Sequence, residues 1–172
     1  MASQARPVRR YGTRALPPYR HVPGKTPHPT RHPDGHRFKT PPETLDSFDP
    51  KRWRTSEAYL FGIDLFNSGY YWEAHEVWEG LWVACGRRGP AAMVLKALIG
   101  LAAAGVKASV GNRRGVAAHA RRAAGLFGKA AAVQVQRCMG FDLRQLAESA
   151  RALAEGAAST EANVFDLVLR PR

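Results

Sequence analysis

Apolar positions recur at helical spacing in five stretches of this chain, and the breaks between them fall at Gly, Asn and Pro. The first begins at Asp49-Pro50, a favourable cap followed by a favourable first residue. It runs to Asn67 with Ala58, Phe61, Leu65 and Phe66 on one side and an interruption near Thr55-Ser56. Asn67-Ser68-Gly69 ends it, since Gly supplies the positive φ that closes a helix. The second helix spans about 70–85. The third, about 91–110, carries Leu95, Leu98, Ala102 and Val106 on one stripe and ends at Gly111-Asn112. The fourth, about 114–132, carries Val116, Ala120, Ala123, Ala124 and Phe127. The fifth opens at Asp142 with Gln145 three residues on, a capping-box arrangement, and closes at Gly156. These stretches predict an all-α fold, a compact four- to five-helix bundle over residues 49–158. A Pro-rich N-terminal arm over 1–48 precedes it and an extended C-terminal tail over 159–172 follows. The short turn at 67–69 makes the first two helices antiparallel neighbours.

The second helix differs from the others in what it carries. From Phe66 to Trp82 the chain holds three Trp, two Tyr, one His and three Glu. Ala74, Val77, Trp78, Leu81 and Cys85 project to one side of the helix, a core stripe. His75, Glu76 and Glu79 project to the other. His75 and Glu79 are four apart and Glu76 and Glu79 three apart, so their side chains can converge. Trp72 lies in the same arc and Trp82 beside His75. A face meant only for water rarely carries Trp at its centre, so this side is expected to be covered as well.

Composition adds one asymmetry. The 172 residues carry a formal net charge of +12, and residues 1–54 hold 12 Lys/Arg against 4 Asp/Glu, a balance of +8. The basic character belongs mainly to the arm, which suits either a solubilising tail or a polyanion-binding segment. Residues 1–16 contain no acid and are broken by Pro, which predicts disorder. His28, His32 and His36 lie in a Pro-rich stretch with Asp34-Gly35 as a turn. Imidazoles at that spacing can ligate a transition metal, but they match no zinc motif and no Cys lies near. The nearest approach to a membrane span, Ala91–Val110, contains Lys96 and Lys107 and is rich in Ala and Gly, so it reads as a buried helix and no membrane partner is expected. Two Cys, no secretory signal and no disulfide framework point to a cytoplasmic protein. Glycine-rich phosphate loops and nucleophile motifs are absent.

The chemistry that remains centres on the second helix. His75 and Glu79 are candidate metal ligands, with Glu76 a further ligand or a catalytic general base. Two or three ligands on one helix need completion from elsewhere, by Asp64 of the first helix or by His28, His32 or His36 of the arm. The cofactor so implied is a divalent metal ion. Two other readings stay open: a non-catalytic scaffold in which the same residues tie elements together, and nucleic-acid binding through the arm. Ala-rich surfaces are also compatible with a homo-oligomer.

The segment Tyr59–Trp82, with Phe66-Asn67-x-Gly69, then Glu73-Ala74-His75-Glu76, then Glu79 and Trp82, resembles the signature of a bacterial and archaeal group called domain of unknown function 309. Leu98–Ala103 followed by Gly111-Asn112 is similar to that family's second block, so the resemblance covers about residues 55–130. It implies a compact all-α bundle and no established activity. It marks Asn67, Gly69, Glu73, His75, Glu76, Glu79 and Trp82 as signature positions, and Trp72 sits among them. The family core does not require the arm.

Overall fold

Asp49 opens the helical region. Its carboxylate accepts from Lys51 N at 2.9 Å, and Pro50 starts a 3-10 helix, Pro50–Thr55. Ser56 ends that turn and caps α1, Glu57–Asn67, by accepting from Tyr59 N. In this computed structural model, which describes residues 9–41, 43, 45, 47–133, 137–158, 165 and 167–172, four more α-helices follow. They are α2 (Tyr71–Ala84), α3 (Gly89–Ser109), α4 (Arg113–Val133) and α5 (Leu143–Ala158). The fold is mostly helical, as the spacing predicts, and the expected interruption near Thr55-Ser56 separates two helices. Helix α3 begins two residues earlier than predicted because Pro90 pre-sets helical φ in its first turn.

Each helix packs on the next in sequence, α1 on α2, α2 on α3, α3 on α4 and α4 on α5. By length and composition α3 resembles a membrane-crossing helix. Its apolar residues are used inside the protein, where Val94, Leu95, Leu98 and Leu101 are fully buried. Tyr59, Ile63, Phe66, Trp78, Phe127 and Leu143 complete the interior. Two helix glycines permit close approach between neighbouring helices. A Cβ on Gly62 of α1 would lie 2.3 Å from Trp78 Nε1, and one on Gly105 of α3 would lie 2.4 Å from the Tyr71 ring.

One small element was not predicted. Residues Arg137–Cys138 (β1) and Phe141–Asp142 (β2) pair antiparallel. Met139 and Gly140 turn between them with φ of 48° and 84°, the doubly positive geometry of a tight hairpin. The sequence offers no Asn-Gly there. The turn is held from outside, by Tyr59 Oη donating to Met139 O at 2.9 Å and by Gly140 packing on Trp53.

Described parts of both the arm and the tail lie along α1 and the start of α2. Of the predicted disorder over 1–16, the first eight residues lie outside the described residues. From Arg10 onward the arm is hydrogen-bonded to α1. At the other end Leu169 is fully buried, and its main chain exchanges two 2.8 Å hydrogen bonds with the Asn67 side-chain amide. Phe165 packs edge-on against Phe66 and Tyr71. The remainder of the predicted tail, 159–164 and 166, lies outside the described residues.

Candidate functional site on α2

Gly69, at φ 82°, turns the chain from α1 into α2 in a conformation that side-chain-bearing residues rarely adopt. It thereby fixes which faces of α2 point inward. Ala74, Trp78 and Leu81 are buried and Val77 and Cys85 half-buried. Glu73 is also buried, at 5% exposure. Outward, His75, Glu76 and Glu79 converge as their spacing predicts. His75 Nδ1 lies 3.6 Å from Glu76 Oε1 and 4.0 Å from Glu79 Oε2. One donor atom from each of the three falls within 4.8 Å of the others. Side-chain exposure rises from 31% at His75 to 52% at Glu79, so the cluster opens to solvent.

The surroundings of this cluster are basic. The His75 imidazole, a long hydrogen-bond partner, is the main influence on the Glu76 carboxyl and lowers its pKa. Burial opposes that, while the positive charges of His75, Arg37 and His28 reinforce it. Burial and then the neighbours His21 and Arg31 lower the pKa of His28, with Glu76 opposing. Burial, then Arg122, Lys107 and His75, lower the pKa of His119 on α4. Both imidazoles thus resist protonation more in the folded chain than in the unfolded one.

The linkage has a definite sign. In chelator-treated protein, stability is expected to fall as pH drops through 6.5, the ordinary value for these imidazoles, because the unfolded chain then binds the extra protons. The loss is complete below the lowered folded values. Glu76, lowered as a carboxylate, adds a separate loss below its ordinary 4.5. Melting curves between pH 8 and 5 should show the first fall, and His28→Asn with His119→Asn should flatten it. A wild-type curve that stays level across this range contradicts the expectation.

The other predicted residues are placed elsewhere. Asp64 is fully buried and does not reach the cluster. It accepts from Tyr11 N at 2.7 Å and Gly12 N at 2.9 Å, and pairs with Arg10 Nε at 2.9 Å. Glu73 accepts from His21 N at 2.8 Å and from His36 Nε2 at 3.2 Å through one oxygen, Oε1. Its second oxygen is buried without a protein partner. His36 is therefore an arm anchor. His32 faces Asp34, whose backbone N–H it accepts at 3.1 Å. His28 lies with His21 against the Trp72 ring, at 5.2 and 5.5 Å between centroids. The arm is thus what covers Trp72. Trp82 carries Lys96 and Arg87 over its ring at 4.9 and 5.2 Å. Asn67 holds the tail and Gly69 the turn. Reasoning from spacing missed that Glu73 is a buried anchor. A helical wheel places it at the margin of the core, and the donors it serves belong to an aperiodic arm.

A histidine nitrogen with two carboxylate oxygens is a donor set suited to zinc, manganese or iron(II). Three donors leave coordination positions open on the solvent side. His28, Arg37 and His119 lie near enough to influence what would occupy them. No curated protein and no solved structure matches this chain. The family described as Domain of unknown function (DUF309) matches residues 59–118. That span runs from the first turn of α1 to the start of α4 and contains every residue of the α2 cluster, so the chain carries a DUF309 domain.

Proposed function

We propose that His75, Glu76 and Glu79 are the protein side of a divalent-cation site on the outer face of α2. The observation that carries this reading is where the carboxylates point. Neither Glu76 nor Glu79 has a Lys or Arg partner within ion-pair distance among the described residues. Both converge on His75 and on each other. Two carboxylates held this close repel unless a proton or a cation lies between them. A bound cation at an open site supplies Lewis acidity and lowers the pKa of bound water. Glu76, kept ionised by its neighbours, supplies the third donor there. Metal-assisted hydrolysis is the reaction class this arrangement fits.

A scaffold role has its own observation, and it concerns different residues. Asp64 and Glu73 are buried and hold the arm, Asp64 through the main-chain donors of Tyr11 and Gly12 and Glu73 through one oxygen that accepts from His21 N and His36 Nε2. The acids of this region thus divide into two that anchor and two that remain available beside His75. Polyanion binding by the arm is weakened as a reading at its start, where Arg10 and Arg14 are paired with Asp64 and Glu43.

Metal content of untagged protein tests the site. Reloaded with zinc, manganese or iron(II) and then desalted, the wild type is expected to retain about one ion per chain, the capacity of a three-donor centre. His75→Ala and Glu79→Ala should each abolish retention while leaving the melting temperature of the metal-free protein nearly unchanged, since all three side chains are part-exposed. Failure of the wild type to retain any of the three metals would overturn the proposal.

A further inference from the structure

Beyond the C-terminal end of α2, at Cys85, a cleft of about 750 Å³ opens between the 3-10 helix, the N-terminus of α3 and the β-hairpin. None of His75, Glu76 and Glu79 lines it. Its volume falls in the range of small-molecule pockets, roughly 300–1,000 Å³. Its charge is one-sided. Lys51, Arg54, Arg88, Arg137 and Arg172 all line it, and Asp49 is the single acid. That carboxylate already accepts from Lys51 N. Among the described residues none of the five cations is in an ion pair with a carboxylate. Arg54 is instead stacked over the Trp53 ring at 4.4 Å. Five like charges around one concavity repel, and the repulsion is relieved by an anion.

Two further features shape what that anion is. The 21-residue helix α3 starts in the cleft, with Gly89, Pro90 and Ala91 on its wall, and its N-cap Arg88 makes no side-chain capping bond. The first-turn N–H groups and the positive end of the helix dipole therefore lie at the same wall as the cations. The rest of the wall is apolar, with Phe48, Trp53 and Met139 contributing and each less than a tenth exposed. A solvated basic surface has neither the concavity nor the apolar wall.

The geometry points to this cleft as a binding site for a small phosphate ester with an apolar body, of the size and charge of a nucleoside di- or triphosphate. The phosphates lie between the arginines and the start of α3, and the body lies against Phe48 and Met139. Arg88 and Arg137 are the principal anion ligands, since Arg88 caps the start of α3, Arg137 belongs to the hairpin, and both line the cleft. Guanidinium groups there can grip phosphate oxygens two at a time.

Calorimetric titration in EDTA with ATP, pyrophosphate and a single-stranded oligonucleotide tests the assignment without involving the α2 cluster. Saturable binding of ATP, tighter than that of pyrophosphate, is expected. Arg88→Gln and Arg137→Gln should each weaken it about tenfold or more, the loss of one charge-assisted hydrogen bond. Both side chains are exposed, so the variants should melt with the wild type, and a melting curve checks this. Arg121→Gln with Arg122→Gln on the exposed face of α4 should leave ATP binding unchanged. Absence of saturable ATP binding overturns the proposal, as does equal affinity for ATP and pyrophosphate. So does oligonucleotide binding that is tighter than ATP binding and is weakened as much by the α4 pair as by Arg88→Gln.

Discussion

Asp64→Ala is expected to cost about 3–5 kcal/mol, the range for removing one partner of a buried charge cluster. Its carboxylate is the acceptor for two main-chain N–H groups and the counter-ion of Arg10. Without it the arm can satisfy those donors only by leaving α1 for water. The loss should therefore be local as well as global. Amide exchange at Tyr11 and Gly12 should become unprotected while the amides of α3 keep their rank among the slowest. Asp64→Asn, which keeps one acceptor oxygen and loses the charge, should fall between wild type and alanine. Denaturant titration gives the total and exchange gives the location. Unchanged protection at Tyr11 and Gly12 in the alanine variant would show that something else holds the arm.

The second large effect sits where α1 crosses α2. Trp78 is fully buried and its indole lies against the backbone of Gly62, where a Cβ would come within 2.3 Å of Nε1 and 2.8 Å of two ring carbons. Trp78→Ala should cost about 3–5 kcal/mol, the usual figure for a buried aromatic. In a chain of this length that is a melting-temperature drop of roughly 10 °C. Gly62→Ala alone should cost about 1–3 kcal/mol, because a rigid indole cannot yield without moving its own neighbours. In the Trp78→Ala background the same Gly62→Ala change should stabilise. The clash is gone there, and alanine is the better helix former by about 1 kcal/mol. A sign reversal of this kind is the signature of direct contact. If Gly62→Ala destabilises equally in both backgrounds, the crossing is not set by this pair.

The helices and their order could be read from the chain because each has a stripe of apolar residues and a chemical stop. Ser56, Gly69, Gly111 and Asp142 mark boundaries that the structure places within one or two residues. The convergence of His75, Glu76 and Glu79 was equally legible, since it depends only on helical spacing. Asp64 and Glu73 were not. Their partners are main-chain N–H groups of Tyr11, Gly12 and His21, which every residue but proline possesses, so no residue type advertises them. The same holds for the hairpin, whose turn is fixed by Tyr59 from 80 positions away. The cleft beside α3 escaped notice because its five cations come from four separate segments, and only folding gathers them.

The clasp between Asn67 and Leu169 has an evolutionary corollary. The amide offers a donor and an acceptor side by side and binds one residue's N–H and C=O as a neighbouring strand would. What it reads is backbone, which every residue but proline presents alike. Drift in the tail is therefore tolerated wherever the pocket filled by Leu169 stays apolar, while position 67 itself is tightly restricted. Aspartate there would offer two acceptors and repel the carbonyl, and glutamine would overreach by a methylene. The part of this contact that selection can see is thus concentrated at the corner between α1 and α2, far in sequence from the segment it holds.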